Sequence, residues 1–295
     1  MPIREEEKMG LIEQIETKVK QTIQEYKLFT KRDKVAVAAS GGKDSTSLLY
    51  ILKRLNYDVS AINVDPNIGE FTKRNLENLR GFCSKEGIPL IEVSFRDAFG
   101  GSLCHLNSIL ESKGIKLNSC TVCGVLRRYL INWIALERGF DVVATGHNLD
   151  DEAEATLMNI FRNDTMRFFR QGPVVGVTTS PKFVQRVKPL YFCTELQMTE
   201  FSKALGLPVI YKRCPCALTS YRNQVRGFIT QLEAINPSVR EAIVRFALRE
   251  IAKRDVKQEE IKVCDECGQP SSGGLCKTCQ LLKTIRGDNH EGVSG

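Results

Sequence analysis

The stretch KVAVAASGGKDSTSLLY, Lys34–Tyr50, decides the fold. Val35–Ala39 is a short apolar run with two valines, which reads as a buried strand. From Asp44 onward Leu48, Leu49, Leu52 and Leu55 recur at helical spacing. Between strand and helix lies a turn built on Gly41 and Gly42. Such a turn exposes backbone N–H groups at a helix N-terminus, where the helix dipole adds positive potential, and so makes a phosphate cradle. It is not a Walker A loop. That loop needs Gly-x4-Gly-Lys followed directly by Ser or Thr, and here Asp44 follows Lys43.

Working outward, Gly10–Leu28 sets Ile12, Ile15, Val19, Ile23 and Tyr26 on one helical face. A second strand, Val59–Val64, leads into a helix over 70–85. A third, Leu90–Ser94, precedes a long polar stretch up to Ser119. A helix is expected over 122–137, then a strand over 141–145 and a helix over 150–162. Strands alternating with helices imply an α/β fold with a doubly wound parallel sheet. Ligands bind such sheets outside the carboxyl ends of the strands, so SGGKDS, NVDPNIGE and ATGHNLDDE should meet in one crevice. After about residue 180 the pattern turns helical, with helices near 194–205, 220–235 and 238–255. The expected organisation is an N-terminal helical segment (1–33), a nucleotide-binding α/β domain (34–180), a basic helical region (181–258), a cysteine knuckle (259–284) and a disordered tail (285–295).

The 295 residues hold no apolar run near the ~20 needed to span a membrane, and MPIREEEKMG lacks a signal peptide's apolar core. A cytoplasmic protein with no membrane contact is expected. The formal charge of +7 is unevenly placed. Residues 162–188 carry six basic side chains against Asp164 alone, and 201–226 carry five and no acid. A basic surface of this kind suits a polyanion such as nucleic acid, although a solvated face remains open. Eleven cysteines in a reducing compartment, several at Cys-x-x-Cys spacing, point to metal or redox chemistry rather than disulfides. Cys264-x2-Cys267-x8-Cys276-x2-Cys279 has the pattern of a closed tetrahedral zinc site. Cys83, Cys104 and Cys193 have no partner spacing and are read as packing residues.

The SGGxDS loop resembles that of the PP-loop ATP pyrophosphatases. The resemblance extends through Cys120-Thr-Val-Cys123-Gly-Val-Leu-Arg127-Arg128, ATGHNLDDEA at 144–153, RCPC at 213–216 and the terminal cysteine pairs. Together these resemble the TtcA/TtuA family of tRNA 2-thiolation enzymes, closest to its archaeal-type TtuA/NcsA members, from Lys34 to Leu282. Such members usually begin with a cysteine-rich zinc module. The first 82 residues here hold no cysteine, and a helix is expected instead.

The resemblance implies an adenine-nucleotide alpha-hydrolase-like domain that binds ATP through Ala38, Ala39, Ser40, Gly41, Gly42, Lys43, Asp44 and Ser45. Val64 would read adenine through its backbone, and Gly146 would let the nucleotide approach. Asp44 and Asp151 would serve Mg²⁺ or a proton, and Arg127 would neutralise phosphate charge. Without the resemblance Asp44 is equally an N-cap residue and Asp151 a helix-start acid. Cys120, Cys123 and Cys214 would hold a [4Fe-4S] cluster with one iron free of protein ligands, with structural zinc or a persulfide pair as rivals. Cys216 stands where the family commonly has Tyr, and as a fourth ligand it would close that site. The implied reaction adenylates the C2 oxygen of a tRNA uridine and then installs sulfur from sulfide or a thiocarboxylated ubiquitin-like carrier protein. The implied product is 2-thiouridine, with 2-thiocytidine as the alternative. A homodimer, an ATP pyrophosphatase of small molecules and a noncatalytic tRNA or sulfur-carrier partner remain open readings.

Overall fold

The computed structural model describes residues 5–175, 182–218, 220–253, 262–271 and 273–287. The chain opens with α1 (Glu5–Glu25) and then alternates: β1 (Lys34–Ala38), α2 (Lys43–Arg54), β2 (Asp58–Asp65), α3 (Gly69–Glu86) and β3 (Leu90–Ser94). Next come α4 (Phe95–Phe99), α5 (Leu103–Ser112), α6 (Ser119–Glu137), β4 (Val142–Thr145), α7 (Leu149–Phe161) and α8 (Thr165–Phe169). The strands β5 (Val174–Val175) and β6 (Gln185–Val187) precede α9 (Glu195–Ala204), a 3₁₀ turn at Pro215–Ala217, α10 (Tyr221–Glu233) and α11 (Val239–Ala252). The hairpin β7 (Lys262–Val263) and β8 (Pro270–Ser271) leads into α12 (Lys277–Arg286).

The main sheet runs β3-β2-β1-β4-β6-β5, parallel except for β5 at the edge. Alternation along β1 sorts its two faces. Val35 and Val37 enter one core with α1, α2, α3 and α9, while Ala36 enters the other with α5 and α6. The chain order reverses between β1 and β4, and a cleft opens at their carboxyl ends.

The sheet extends past the boundary expected at residue 180, because β6 pairs in parallel with β4. Three residues of strand are too few to show a period. The N-terminal helix is not a separate segment either. Ile15, Val19 and Ile23 are essentially fully buried in the first core, each worth roughly 1.5–3 kcal/mol of apolar transfer. The polar stretch 95–119 contains α4 and α5, capped by Ser94 and Ser102, with Leu103, Leu106 and Leu110 buried. At the far end, α12 runs to Arg286, so Ile285 and Arg286 belong to a helix rather than a tail. Residues 288–295 of the expected tail lie outside the described residues. Leu281 joins the second core, and Asn132 of α6 donates to Gln269 Oε1 at 2.8 Å, so the knuckle is seated on α5 and α6.

A third core holds α7, α10 and α11 together through Leu149, Ala153, Tyr191, Val225, Ile229 and Val244. Beside it runs a lattice of ion pairs. Glu154, fully buried, pairs with Arg226 and, at 3.3 Å, with Arg222. Glu152 pairs with Lys188 at 2.7 Å, and Asp150 with Arg240 at 3.3 Å. Of the cations expected to face a polyanion, Lys188, Arg222 and Arg226 are therefore engaged with acids of α7.

Candidate functional site

Two adjoining chambers lie at the carboxyl ends of the strands. The larger, about 630 Å³, is lined by Ala38, Ser40, Gly42, Asp44 and Ser45 on one side and by Gly146, His147 and Asp151 on the other. Cys120, Arg127, Arg128, Arg186, Lys188 and Arg222 complete its wall. The smaller, about 260 Å³, is lined by Asn63, Val64, Asn75, Cys123, Lys212 and Cys214. Ser40, Gly42 and Arg127 line both, so the loop and one guanidinium stand at the junction. The larger volume alone falls in the range of small-molecule sites.

The loop is braced from within. Ser45 Oγ accepts from the Ser40 N–H and donates to the Gly42 carbonyl, both at 3.2 Å. Gly41 has φ +76°, and a Cβ there would come within 2.3 Å of the Asn75 carbonyl oxygen, so only glycine fits. Gly146 makes the equivalent contact across the cleft. A Cβ on it would lie 2.9 Å from the Ser45 amide nitrogen, so its missing side chain admits the start of α2. The Ser45 hydroxyl likewise serves the loop as well as facing the chamber.

Asn148 and Asp151 form a capping box at the start of α7, which fixes the Asp151 carboxylate on the chamber wall. Asn148 also donates to Asp44 Oδ1 at 3.3 Å, tying the two acids to one side chain. Their electrostatics diverge. Burial pushes Asp44 above the usual carboxylate range, an effect that Lys43 at 2.8 Å only partly offsets. Burial pushes Asp151 up too, but His147, Arg222, the Asn148 N–H and Arg226 outweigh it and hold the carboxyl below its usual range. Arg186, pressed by burial and by Arg128, falls to about 10. A wall of guanidinium groups with one half-buried Arg is built for concentrated negative charge.

Three expected nucleotide contacts face elsewhere. Lys43 is turned into pairs with Asp44 and Glu195, Ala39 is buried with its carbonyl held by Asn63 at 2.7 Å, and Gly41 packs on Asn75. Arg128, Arg186, Lys188 and Arg222 line the chamber without having been singled out for it. Arg222 and Arg226 lie four residues apart, complementary to the acids of DDEAE at 150–154, and that pattern was available in the sequence.

Cys120, in the first turn of α6, and Cys123, one turn on, are brought together with Cys214 although it lies about ninety residues away. Burial pushes both α6 thiols up, and Cys214 is close enough to raise each further. Among the described residues the C-terminal four are the one group of three or more such ligands whose atoms all lie within 4.8 Å of one another. The wider set suits a multi-iron cluster, whose thiolates sit on separate irons, better than one ion. The C-terminal four suit one ion. Cys267 Sγ and Cys276 Sγ are 3.7 Å apart, against ~3.8 Å for tetrahedral Zn–S bonds. Backbone N–H groups of Cys276 and Cys279 point at sulfur, at 3.2 and 3.4 Å. Burial raises Cys264, but such amides outweigh it and bring the thiol down to about 6. Cys83 and Cys193 are buried as packing residues; Cys104 is not, being exposed on α5.

The profile of the PP-loop domain family matches residues 11–233. The tRNA-5-methyluridine(54) 2-sulfurtransferase of Pyrococcus horikoshii is 34% identical over 91% of this chain and 84% of its own length. The cytoplasmic tRNA 2-thiolation protein 1 of Caenorhabditis elegans is 33% identical over 93% and 74%. Among solved structures, the U34-tRNA thiolase NcsA from Methanococcus maripaludis with its [4Fe-4S] cluster superposes with a TM-score of 0.79 at 30% identity, covering 94% of this chain and 88% of that one. With its loop, its crevice and this near full-length similarity, the chain belongs to the PP-loop family and, within it, to the tRNA 2-thiolation enzymes.

Proposed function

We propose that this chain converts a tRNA uridine to 2-thiouridine by ATP-dependent adenylation of the C2 oxygen followed by sulfur entry. The observation that carries the reading is the junction itself: the phosphate loop, Arg127 and three cysteines border two connected chambers.

ATP lies with adenine toward the Val64 backbone and its phosphates against the amides of Ser40–Ser45 and the start of α2. Asp44 and Asp151 are the residues that would hold Mg²⁺, and the depressed pKa of Asp151 keeps one carboxylate ionised through the working range. The uridine C2 oxygen attacks the α-phosphate, and pyrophosphate leaves toward Arg127 and the guanidinium wall, where the developing charge is neutralised. Adenylation is required because a carbonyl oxygen of this kind is a poor leaving group, whereas AMP is a good one. His147, hydrogen-bonded to Thr145 Oγ1 at 2.9 Å, faces the same chamber.

Cys120, Cys123 and Cys214 are the residues that would hold a [4Fe-4S] cluster. Bound by only three protein thiolates, it would supply an iron site open to exogenous sulfide. The sulfur donor is sulfide itself or a thiocarboxylated carrier protein. The four C-terminal cysteines would hold Zn²⁺ as a structural ion, and the enzyme works in the cytoplasm.

The test is direct. Anaerobically purified full-length protein is expected to carry about four irons beyond its zinc and to form AMP, pyrophosphate and 2-thiouridine from ATP, sulfide and tRNA. Replacing Cys120, Cys123 or Cys214 with Ala abolishes iron content and thiolation, while Cys216→Ala keeps both. Thiolation by iron-free protein would overturn the cluster assignment, and product found only at cytidine would overturn the substrate.

A further inference from the structure

We propose that an exposed aromatic stripe on α10, Tyr221 and Phe228 with Phe161 and Arg162 at the end of α7 against it, is a stacking platform for about three unpaired nucleotides of the RNA whose base enters the larger chamber. The proposal rests on the thiolation reading for the identity of that RNA.

Large aromatic side chains mostly turn inward, and these do not. Phe161 is 54% exposed, Phe228 45% and Tyr221 39%. Tyr221 and Phe228 stand two turns apart on one face of α10, with Gln224, also exposed, between them. The helix rise separates them by about 10.5 Å. The end of α7 lies against both. Phe161 meets Phe228 with ring centroids 6.3 Å apart and planes at 64°, and the Arg162 guanidinium lies 4.5 Å over the Tyr221 ring. The other face of α10 fixes the helix. Val225 and Ile229 are buried in the third core, and Arg222 and Arg226 pair with Glu154. The stripe is thus held on a fixed helix while staying open to water. Gly227 is an independent pointer. Glycine inside a helix is unfavourable, yet nothing comes within 4 Å of the Cβ it lacks. Packing among the described residues does not account for it, whereas a partner lying against the helix beside Phe228 does.

The chemistry around the stripe selects RNA over an apolar partner. Residues 201–232 hold no acid, and Arg162, Lys212 and Arg213 are exposed cations. Arg222, the neighbour of Tyr221, lines the larger chamber and pairs with Asp151 at 3.4 Å, so the stripe begins at the chamber wall. A base that reacts in the chamber must leave its stack, and the nucleotides beside it lose a stacking partner. Aromatic rings and guanidinium planes are the surfaces on which unstacked RNA bases settle. At ~3.4 Å per stacked base, the span from Tyr221 to Phe228 accommodates about three. The rings take the bases, Arg162 meets a phosphate, and the Gln224 amide offers a donor and an acceptor to base edges.

The experiment measures binding of the full-length protein to fluorescein-labelled decaadenylate and to an unmodified tRNA transcript, by anisotropy across a salt series. Tyr221→Leu and Phe228→Leu are each expected to weaken binding of both probes about tenfold. The slope of log K against log salt stays as in wild type, because no phosphate contact is lost. Tyr221→Trp and Phe228→Trp keep wild-type affinity. Gly227→Ala is expected to melt higher than wild type and to bind RNA more weakly, since its methyl group fills space that only the partner uses. Wild-type affinity in both Leu variants overturns the proposal, as does a flattened salt slope in either. A loss of affinity that comes only with a halved mass in light scattering overturns it too, by assigning the face to a second copy of the chain. A wild type that shows the stacking effects but makes no 2-thiouridine supports the platform and overturns the thiolation reading. Leu variants that bind tRNA normally and thiolate it overturn the platform and leave that reading standing.

Discussion

Gly146 has no room for a methyl group. Its Cβ would meet backbone on every near side, the Ser45 nitrogen at 2.9 Å and the Asp44 carbonyl carbon at 3.0 Å, and backbone cannot swing aside as a side chain can. Gly146→Ala is expected to part the two strand-end loops and to lower ATP-dependent AMP formation about 100-fold, since a displacement near 1 Å at a reacting centre costs that much. An assay of AMP release decides it, and near-normal turnover would mean the cleft absorbs the shift. Asp44 gives a prediction of opposite sign for stability. Its pKa is raised in the folded state, so folding favours its proton, and its ionisation lowers stability as pH rises through the range above an ordinary aspartate value. Asp151 is depressed. Its contribution is present above the unfolded value and is lost only as pH falls below it. Asp44→Asn is therefore expected to melt higher than wild type at pH 7 while losing ATP turnover. A lower melting temperature would show that Lys43 and Asn148 already offset the burial of the charge.

At the scale of elements, α7 is the keystone for everything that follows it. Arg226 reaches Glu154, Asp151 and Glu195, on two different helices. Arg226→Ala leaves the fully buried Glu154 with Arg222 alone and is expected to cost about 3–5 kcal/mol in urea unfolding, far more than an exposed pair. A loss under about 1 kcal/mol would mean that water reaches Glu154. These pairs also explain what the sequence concealed. The strands and helices from β1 to α7 were legible because their apolar periods are long and their turns carry glycine and caps. The crevice was legible because three loops follow three strands. What failed was local evidence for distant partners. Arg222 and Arg226 looked unpaired because their acids lie about seventy residues earlier, on α7. The strand β6 carries too few residues for a period.

For the whole molecule, the paired cations leave a smaller polyanion surface than the formal charge of +7 implies. Arg162, stacked on Tyr221 at 4.5 Å, Lys212 on the wall of the smaller chamber, and Arg213 are exposed. Replacing these three with Ser is expected to weaken tRNA binding and to reduce the slope of log K against log salt by about 0.7–0.9 for each phosphate no longer neutralised. Filter binding across a salt series measures it, and an unchanged slope would assign these side chains to water. The helix α1 belongs to this scale as well. Lys18 bonds Gln197 at 3.1 Å across 179 positions of chain, and Ile15, Val19 and Ile23 need α9 to close their core. A ribosome adding roughly 5–20 residues per second therefore leaves this greasy face unclaimed for about 10–35 s. Through that interval the nascent chain is a client for holdase chaperones. Its yield in a cell is therefore expected to depend on how well the first helix is sheltered until the ninth is made.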